Sequence, residues 1–283
     1  MKIKRILVTG ACGYIGTHVI QELLRQGYEV VAADIRPQSN IEGVSYVQAD
    51  IFRPGQDLYH LAGCPGTLIH LAWRDGFQHQ SRRHITDLPL HMDFLQGMME
   101  AGVKNISVMG SMHEIGYWEG AISETTPTNP LSNYGIAKNA LRQIAQLLAK
   151  EYGVCLHWLR GFYIYGDDAM NHSVFSKILQ AAGEGKKTFP FTSGKNLYDF
   201  LSVEELARQI VAVATQTEYA GIVQCCSGQP VSLGEMAERF IRDRGLSIRL
   251  DYGAFPDRPY DSPGVWGDTT ALQKILDGRR TQE

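Results

Sequence analysis

The chain is short of several features that would assign it at once. Its 283 residues hold five cysteines, Cys12, Cys64, Cys155, Cys225 and Cys226, with no C-x-x-C pair. An odd number of thiols cannot all close within one chain, which argues against a disulfide framework and for a reducing cytosol. No stretch approaches the roughly 18 apolar residues that a membrane helix needs. The charged opening Met1–Arg5 runs into only Ile6-Leu-Val8, too short for a signal-peptide core, so neither export nor a membrane partner is expected. The nine histidines form no H-E-x-x-H, and adjacent Cys225-Cys226 suit a strand better than a zinc site, so no metal is expected. Basic excess is missing as well. Thirty acidic against 27 basic side chains leave a net charge of -3, and no global positive field exists to hold nucleic acid. What remains, 44% hydrophobic and 20% charged residues, is the composition of a globular chain able to bury a substantial core.

The first hundred residues alternate short apolar runs with helical periodicity. Strands are read at Ile3–Thr9, Glu29–Ala33, Ser45–Gln48, Thr67–Leu71 and Asn105–Met109, with a first helix over Tyr14–Gln26. Strands alternating with helices predict an α/β fold, a doubly wound parallel sheet whose functional residues cluster just after strand ends. Asn133–Tyr152 reads as a long helix with apolar positions Ile136, Ala140, Leu141, Ile144, Ala145, Leu147 and Leu148, stopped by Gly153 and followed by a strand at Val154–Leu159. Beyond Gly166, prolines and glycines divide the chain into short elements, except for a strong helical pattern over Val203–Thr215. With no repeat or linker in sight, the expected organisation is a dinucleotide-binding domain over 1–166, with 200–221 packing back on it, and a smaller interleaved substrate lobe from 167–199 and 222–283.

Thr9-Gly10-Ala-Cys-Gly13-Tyr-Ile-Gly16 falls between the first strand and first helix. Glycines there clear the turn, the approach of a diphosphate and the helix–strand contact, while helix N–H groups face the anion. Asp34 follows Gly16 by 18 residues, at the end of the second strand, where a carboxylate can take the ribose hydroxyls of an adenosine. This β–α–β–Asp unit predicts a bound dinucleotide. Asp34 would repel a 2′-phosphate and favours NAD, although Arg36 could stack on adenine or admit NADP. Gly10, Gly13, Tyr14, Ile15 and Gly16 are the candidate diphosphate contacts. Asp50 and Ile51 are placed beside the adenine, and Leu71, Ala72 and Trp73 beside the cofactor ribose.

Tyr134-Gly-Ile-Ala-Lys138 sets a phenol and an ammonium at i and i+4, on one helix face. A neighbouring cation stabilises phenolate, so Lys138 is expected to lower the Tyr134 pKa toward working pH and to reach the cofactor ribose. Ser111, 23 residues earlier and at a strand end, can hydrogen-bond the reacting oxygen.

With these elements in view, the chain resembles the extended short-chain dehydrogenases/reductases, in their nucleotide-sugar epimerase/dehydratase branch. The marks are Thr9–Gly16, Asp34, Asp50-Ile51, His70-Leu-Ala72, Gly110-Ser111, Tyr134–Lys138, Leu159–Gly166, Tyr198-Asp-Phe200 and Arg258-Pro-Tyr-Asp261. The resemblance implies that Ser111, Tyr134 and Lys138 are catalytic, that NAD or NADP is the cofactor, and that Arg258 grips the diphosphate of a sugar nucleotide. It also implies a homodimer through helices such as His91–Ala101 and Asn133–Tyr152. Met112-His113 stand where 4,6-dehydratases carry Asp-Glu, which disfavours dehydration. His113 also matches an acid/base position of members that epimerise carbons 3 and 5, with Asn171-His172 offered as the second such site. Tyr198 replaces a common second phosphate-binding arginine, and Asp87 lies near a position usually held by a structural asparagine. Phe189-Pro-Phe191 and Lys195-Asn196 either contact base or phosphates or form a β-hairpin turned at Gly194.

The expected function is that of a cytoplasmic NAD(P)-dependent oxidoreductase that reduces a nucleotide-linked 4-keto-6-deoxyhexose. A nucleotide-sugar 4-epimerase needs the same triad and is the alternative. A non-catalytic NAD(P)-sensing protein is the rival of another class.

Overall fold

Successive residues of the first strand, Arg5–Thr9, serve two different cores. Ile6 and Val8 join one buried cluster, and Leu7 points to the other, as the two-residue period of a strand requires. The same alternation repeats in Glu29–Asp34, where Val30 and Ala32 face the first cluster and Val31 and Ala33 the second. Strands buried on both faces read as continuous apolar runs, which is why these segments stand out in the sequence.

The computed structural model describes residues 5–37, 41–53, 55–166, 173–257 and 261–280. Seven parallel strands form the central sheet, in the spatial order Gly221–Cys225, Cys155–Gly161, Asn105–Ser111, Thr67–His70, Arg5–Thr9, Glu29–Asp34, Ser45–Gln48. One face is covered by Tyr14–Arg25, Val203–Ala214 and Thr270–Arg280, and the other by Leu88–Ala101 and Asn133–Tyr152. This is the doubly wound, Rossmann-like architecture the alternating pattern predicted. Chain direction across the sheet reverses between Arg5–Thr9 and Thr67–His70, so a crevice opens there beyond the carboxyl ends of the strands. No helix among the described residues is long and apolar enough to cross a membrane.

The strands that carry the candidate chemistry run longer than the apolar pattern suggested. Asn105–Ser111 and Cys155–Gly161 each extend two residues past the expected end, because backbone pairing continues to Ser111 opposite Gly161. Asn133–Tyr152 starts at the Ser132 cap, whose side chain accepts from Gly135 N, and ends at Gly153 in the left-handed region. Its buried stripe is Ala137, Leu141, Ala145 and Ala149, while Ile136 and Leu147 are 45% and 70% exposed. Small residues let the helix approach the sheet, and these two larger members of the apolar set turn away.

A second, four-stranded sheet is ordered Val231–Ser232, Leu197–Tyr198, Gly264–Gly267, Gly120–Ile122. Behind it, Phe175, Ile178, Phe191, Met236, Phe240 and Ile248 form a separate core. The expected split at 221–222 differs from the sheet's own division. Gly221–Cys225 is the outer strand of the central sheet and Thr270–Arg280 packs on Val203–Ala214, while Gly120–Ile122 crosses into the small sheet. The hairpin alternative at Gly194 is not formed, because Thr188–Pro190 pairs in parallel with Arg249–Asp251. Asp199 ties these connections together: fully buried, it accepts from Ser227 N and Oγ, Gly228 N and Gly267 N.

Gly10 has φ +68°, and a Cβ there would lie 2.6 Å from Ala72 N. Gly10→Ala is expected to destabilise the fold by roughly 2–4 kcal/mol, a left-handed penalty plus a backbone clash, read as a lower urea midpoint.

Candidate active site

Each end of the glycine turn is fixed by a contact that tolerates no side chain. A Cβ on Gly16 would lie 2.2 Å from Gly10 O, and Gly13 begins the helix without any side-chain cap, so the first N–H groups have no side-chain acceptor. Asp34 ends the second strand, is only 7% exposed, and accepts from Cys12 N at 3.0 Å and Arg36 N at 3.0 Å. Arg36 folds back onto the same carboxylate, Nε to Oδ1 at 3.3 Å. Among the described residues Oδ2 has a single donor, Cys12 N, and retains lone-pair capacity to accept a hydroxyl.

Gly10, Gly13, Asp34, Arg36, Asp50, Ile51, Leu71, Ala72 and Trp73 all line one crevice at the switch point. Tyr14 and Ile15 stand at its edge in other roles. The Tyr14 hydroxyl donates to Gly166 O at 2.6 Å, and Ile15 packs on the core. The sequence reading missed Phe52 and Arg74. Arg74 stacks on Phe52 with its guanidinium carbon 4.5 Å from the ring centre, between Asp50 at 3.5 Å and Asp87 at 3.8 Å. Asp87 thus anchors a cation from a helix boundary. A glycine cradle, a buried acceptor at the strand end and apolar walls fit the adenosine diphosphate half of a dinucleotide.

Ser111, Tyr134 and Lys138 converge beyond the ends of the central strands. Ser111 is the last residue of Asn105–Ser111, and its hydroxyl stands near enough to the Tyr134 phenol to act against the rise that burial brings. Lys138, one turn along the helix, is buried and donates to Met109 O at 2.6 Å. Burial decides the titration of both helix groups. It pushes the Tyr134 phenol up to about 12, against the opposing Ser111 hydroxyl, and brings the Lys138 ammonium down to about 7. The expectation that Lys138 lowers the Tyr134 pKa is corrected here. The ammonium is held by Met109 O and by the face of Trp73, 5.9 Å from the Tyr134 ring centre, and burial of the phenol dominates its titration.

His113 sits beside this group, as its position after Ser111 suggested. Its N–H donates to Ser111 Oγ at 3.2 Å, its ring lies 6.0 Å from that of Tyr134, and shielding from water holds the imidazole down near 4. It is therefore neutral at physiological pH. His79 was not anticipated. It stacks on Tyr134 at 5.1 Å and 11°, touches His113 at 4.3 Å, and its carbonyl accepts from Tyr134 N. Nothing in the spacing of Arg74–Arg82 signals that this loop docks on the helix start. Tyr198 is used for packing, stacked on Tyr163 at 4.3 Å. Asn171, His172 and Arg258 lie outside the described residues.

Glu114 is the main omission of the sequence reading. Fully buried, it accepts from Ser111 N at 2.8 Å, Trp158 Nε1 at 2.8 Å and Arg160 Nε at 3.2 Å, with Arg142 Nε at 3.6 Å. The Ser111-x-x-Glu114 capping box was its only local signal.

A glycine-cradled crevice leading to a Ser–Tyr–Lys group defines a dinucleotide-dependent enzyme of the doubly wound class. The chain belongs to the NAD dependent epimerase/dehydratase family, whose model matches residues 6–225. It is 44% identical over 270 residues to dTDP-6-deoxy-L-talose 4-dehydrogenase (NAD(+)) of Aggregatibacter actinomycetemcomitans, covering 93% of this chain and 98% of that relative. Among solved structures it is similar to MoeE5 in complex with UDP-glucuronic acid and NAD, with TM-score 0.78, 26% identity and coverage of 96% and 92%. A UDP-N-acetylglucosamine 4-epimerase from Methanobrevibacter ruminantium M1 shares the fold, with TM-score 0.83, 20% identity and coverage of 97% and 92%.

Glu114→Ala strips a buried carboxylate from two guanidinium groups and is expected to cost about 3–5 kcal/mol, measured by equilibrium unfolding. Glu114→Gln should lose less, because the amide oxygen still accepts from Ser111 N.

Proposed function

We propose that this protein is an NAD-dependent oxidoreductase that interconverts the 4-hydroxyl and 4-keto forms of a dTDP-linked 6-deoxyhexose. The observation that carries the reading is the 44% identity, along nearly the whole of both chains, to a dTDP-6-deoxy-L-talose 4-dehydrogenase, joined to the Ser111–Tyr134–Lys138 group at the strand ends. The glycine turn and Asp34 hold NAD, with Arg36 tied to Asp34 and not free to serve a 2′-phosphate.

Held there, NAD would supply a hydride acceptor for carbon 4 and NADH a hydride donor. Ser111 Oγ hydrogen-bonds the carbon-4 oxygen. Tyr134 exchanges the proton of that oxygen, donating it as the carbonyl becomes an alcohol and removing it in the reverse direction. Lys138 binds the cofactor ribose and adds positive charge beside the phenol. With its pKa held up to about 12 by burial, the Tyr134 phenol carries its proton at neutral pH, the form that donates to the carbonyl oxygen. Neutral His113 and His79 flank the sugar side as hydrogen-bonding groups, and Asn171, His172 and Arg258 complete the sugar-nucleotide site on the sequence reading. All five cysteines are free thiols, in keeping with a cytoplasmic protein, and Ile136 and Leu147, exposed on Asn133–Tyr152, support a homodimer.

Tyr134→Phe is expected to lower kcat by roughly 10²–10⁴-fold while the protein still quenches NADH fluorescence on binding. A binding module without chemistry would show no turnover in the parent, assayed with a panel of dTDP-4-keto-6-deoxyhexoses at 340 nm. Conversion to a 4-epimer without added nicotinamide would assign an epimerase instead. Asp34→Ser is expected to shift the NAD:NADP preference toward NADP at least tenfold, read from the two kcat/KM values, because the carboxylate no longer repels the 2′-phosphate.

A further inference from the structure

Trp73 lines the cofactor crevice, yet most of its contacts lie elsewhere. The Lys138 ammonium sits 3.6 Å from the indole ring centre. His91 stacks on the same indole at 4.3 Å and 17°, and Trp73 Nε1 donates to His84 Nδ1 at 3.0 Å. Since Nδ1 of His84 accepts, its Nε2–H donates to Gln78 O at 3.0 Å, which ties the indole to the loop before Arg83–Thr86. His91 is itself packed edge-on to Phe52 at 4.7 Å and bonded to His70 at 3.0 Å. The indole is thus oriented by His84 and His91, the second backed by His70, and cannot turn without breaking a buried network.

The ammonium has few other partners. Met109 O accepts from it, and Glu114, from the turn after Asn105–Ser111, favours its charge from a distance while bound to Arg160. From Thr67–His70 and Leu88–Ala101, His70 and His91 face it as neutral rings, both kept uncharged by burial. On its own helix the neighbour is the neutral phenol of Tyr134. In such a water-poor pocket, the negative face of an indole attracts the ammonium while Met109 O takes one of its N–H donors.

We propose that Trp73 is the positioning residue for Lys138: its indole face holds the charged side chain at the reacting centre. The role rests on the reading of Lys138 given above. Removing the face should lower the already depressed Lys138 pKa further, so the ammonium, and the activity that needs it, would be lost at lower pH.

The full chain labelled with 5-fluorotryptophan gives one 19F resonance for each of its four tryptophans, and Trp73→Phe identifies the Trp73 line. That line is expected to move through a titration near neutral pH that Lys138→Met abolishes. With tetrafluorotryptophan, whose ring face is stripped of negative potential with little change of shape, the midpoint should fall by about half to one unit. A Trp73 line that titrates equally in Lys138→Met, or a midpoint unmoved by tetrafluorination, overturns the pairing. In turnover, the alkaline limb of kcat should fall by about one unit in Trp73→Leu and stay in place in Trp73→Phe. Coincident limbs in these two variants and the parent overturn the positioning role. The resonance arm needs no substrate, so a titrating Trp73 line in a chain that reduces no dTDP-sugar overturns the functional reading alone.

Discussion

The buried carboxylate of Glu114 is the interaction on which the geometry of the site depends. It reaches the backbone of Ser111, the indole of Trp158 and the guanidinium of Arg160, with Arg142 from the long helix nearby. It thereby joins two adjacent strands to the helix that carries Tyr134 and Lys138. A charge with no exposure to water is tolerated only where its lone pairs are used, and here they are used to fix where the Ser111 strand end meets the long helix.

Burial then sets the electrical character of the site. It keeps His70, His91 and His113 neutral, holds Tyr134 as a phenol and weakens the hold of Lys138 on its proton. Lys138 is the one cation among these groups, and it rests on a carbonyl and an aromatic face with no adjoining carboxylate. An unpaired ammonium in a dry pocket is available to a ribose and to a developing oxyanion, at the cost of a pKa near 7.

Residues that obey local rules are legible in the amino-acid sequence. Gly10, Gly13, Gly16 and Asp34 announce themselves because a tight turn and a strand end impose residue types at set spacings, and the long helix is bounded by Ser132 and Gly153 for the same reason. Residues that act across the fold leave little trace. His79 reaches Tyr134 from 55 positions away, and Trp73 meets Lys138 from 65. Ile136 and Leu147 show the limit of periodicity, which marks an apolar face without saying which neighbour covers it.

By itself, then, the sequence determined the alternation of strands and helices, the glycine turn after the first strand and the Tyr134–Lys138 group on one helix face, since each rests on interactions within a few residues. Only the tertiary structure decided the charge states of that group and the company it keeps. Desolvation depends on what packs around a side chain, and here the surroundings come from four separate strands and helices brought together at one end of the sheet.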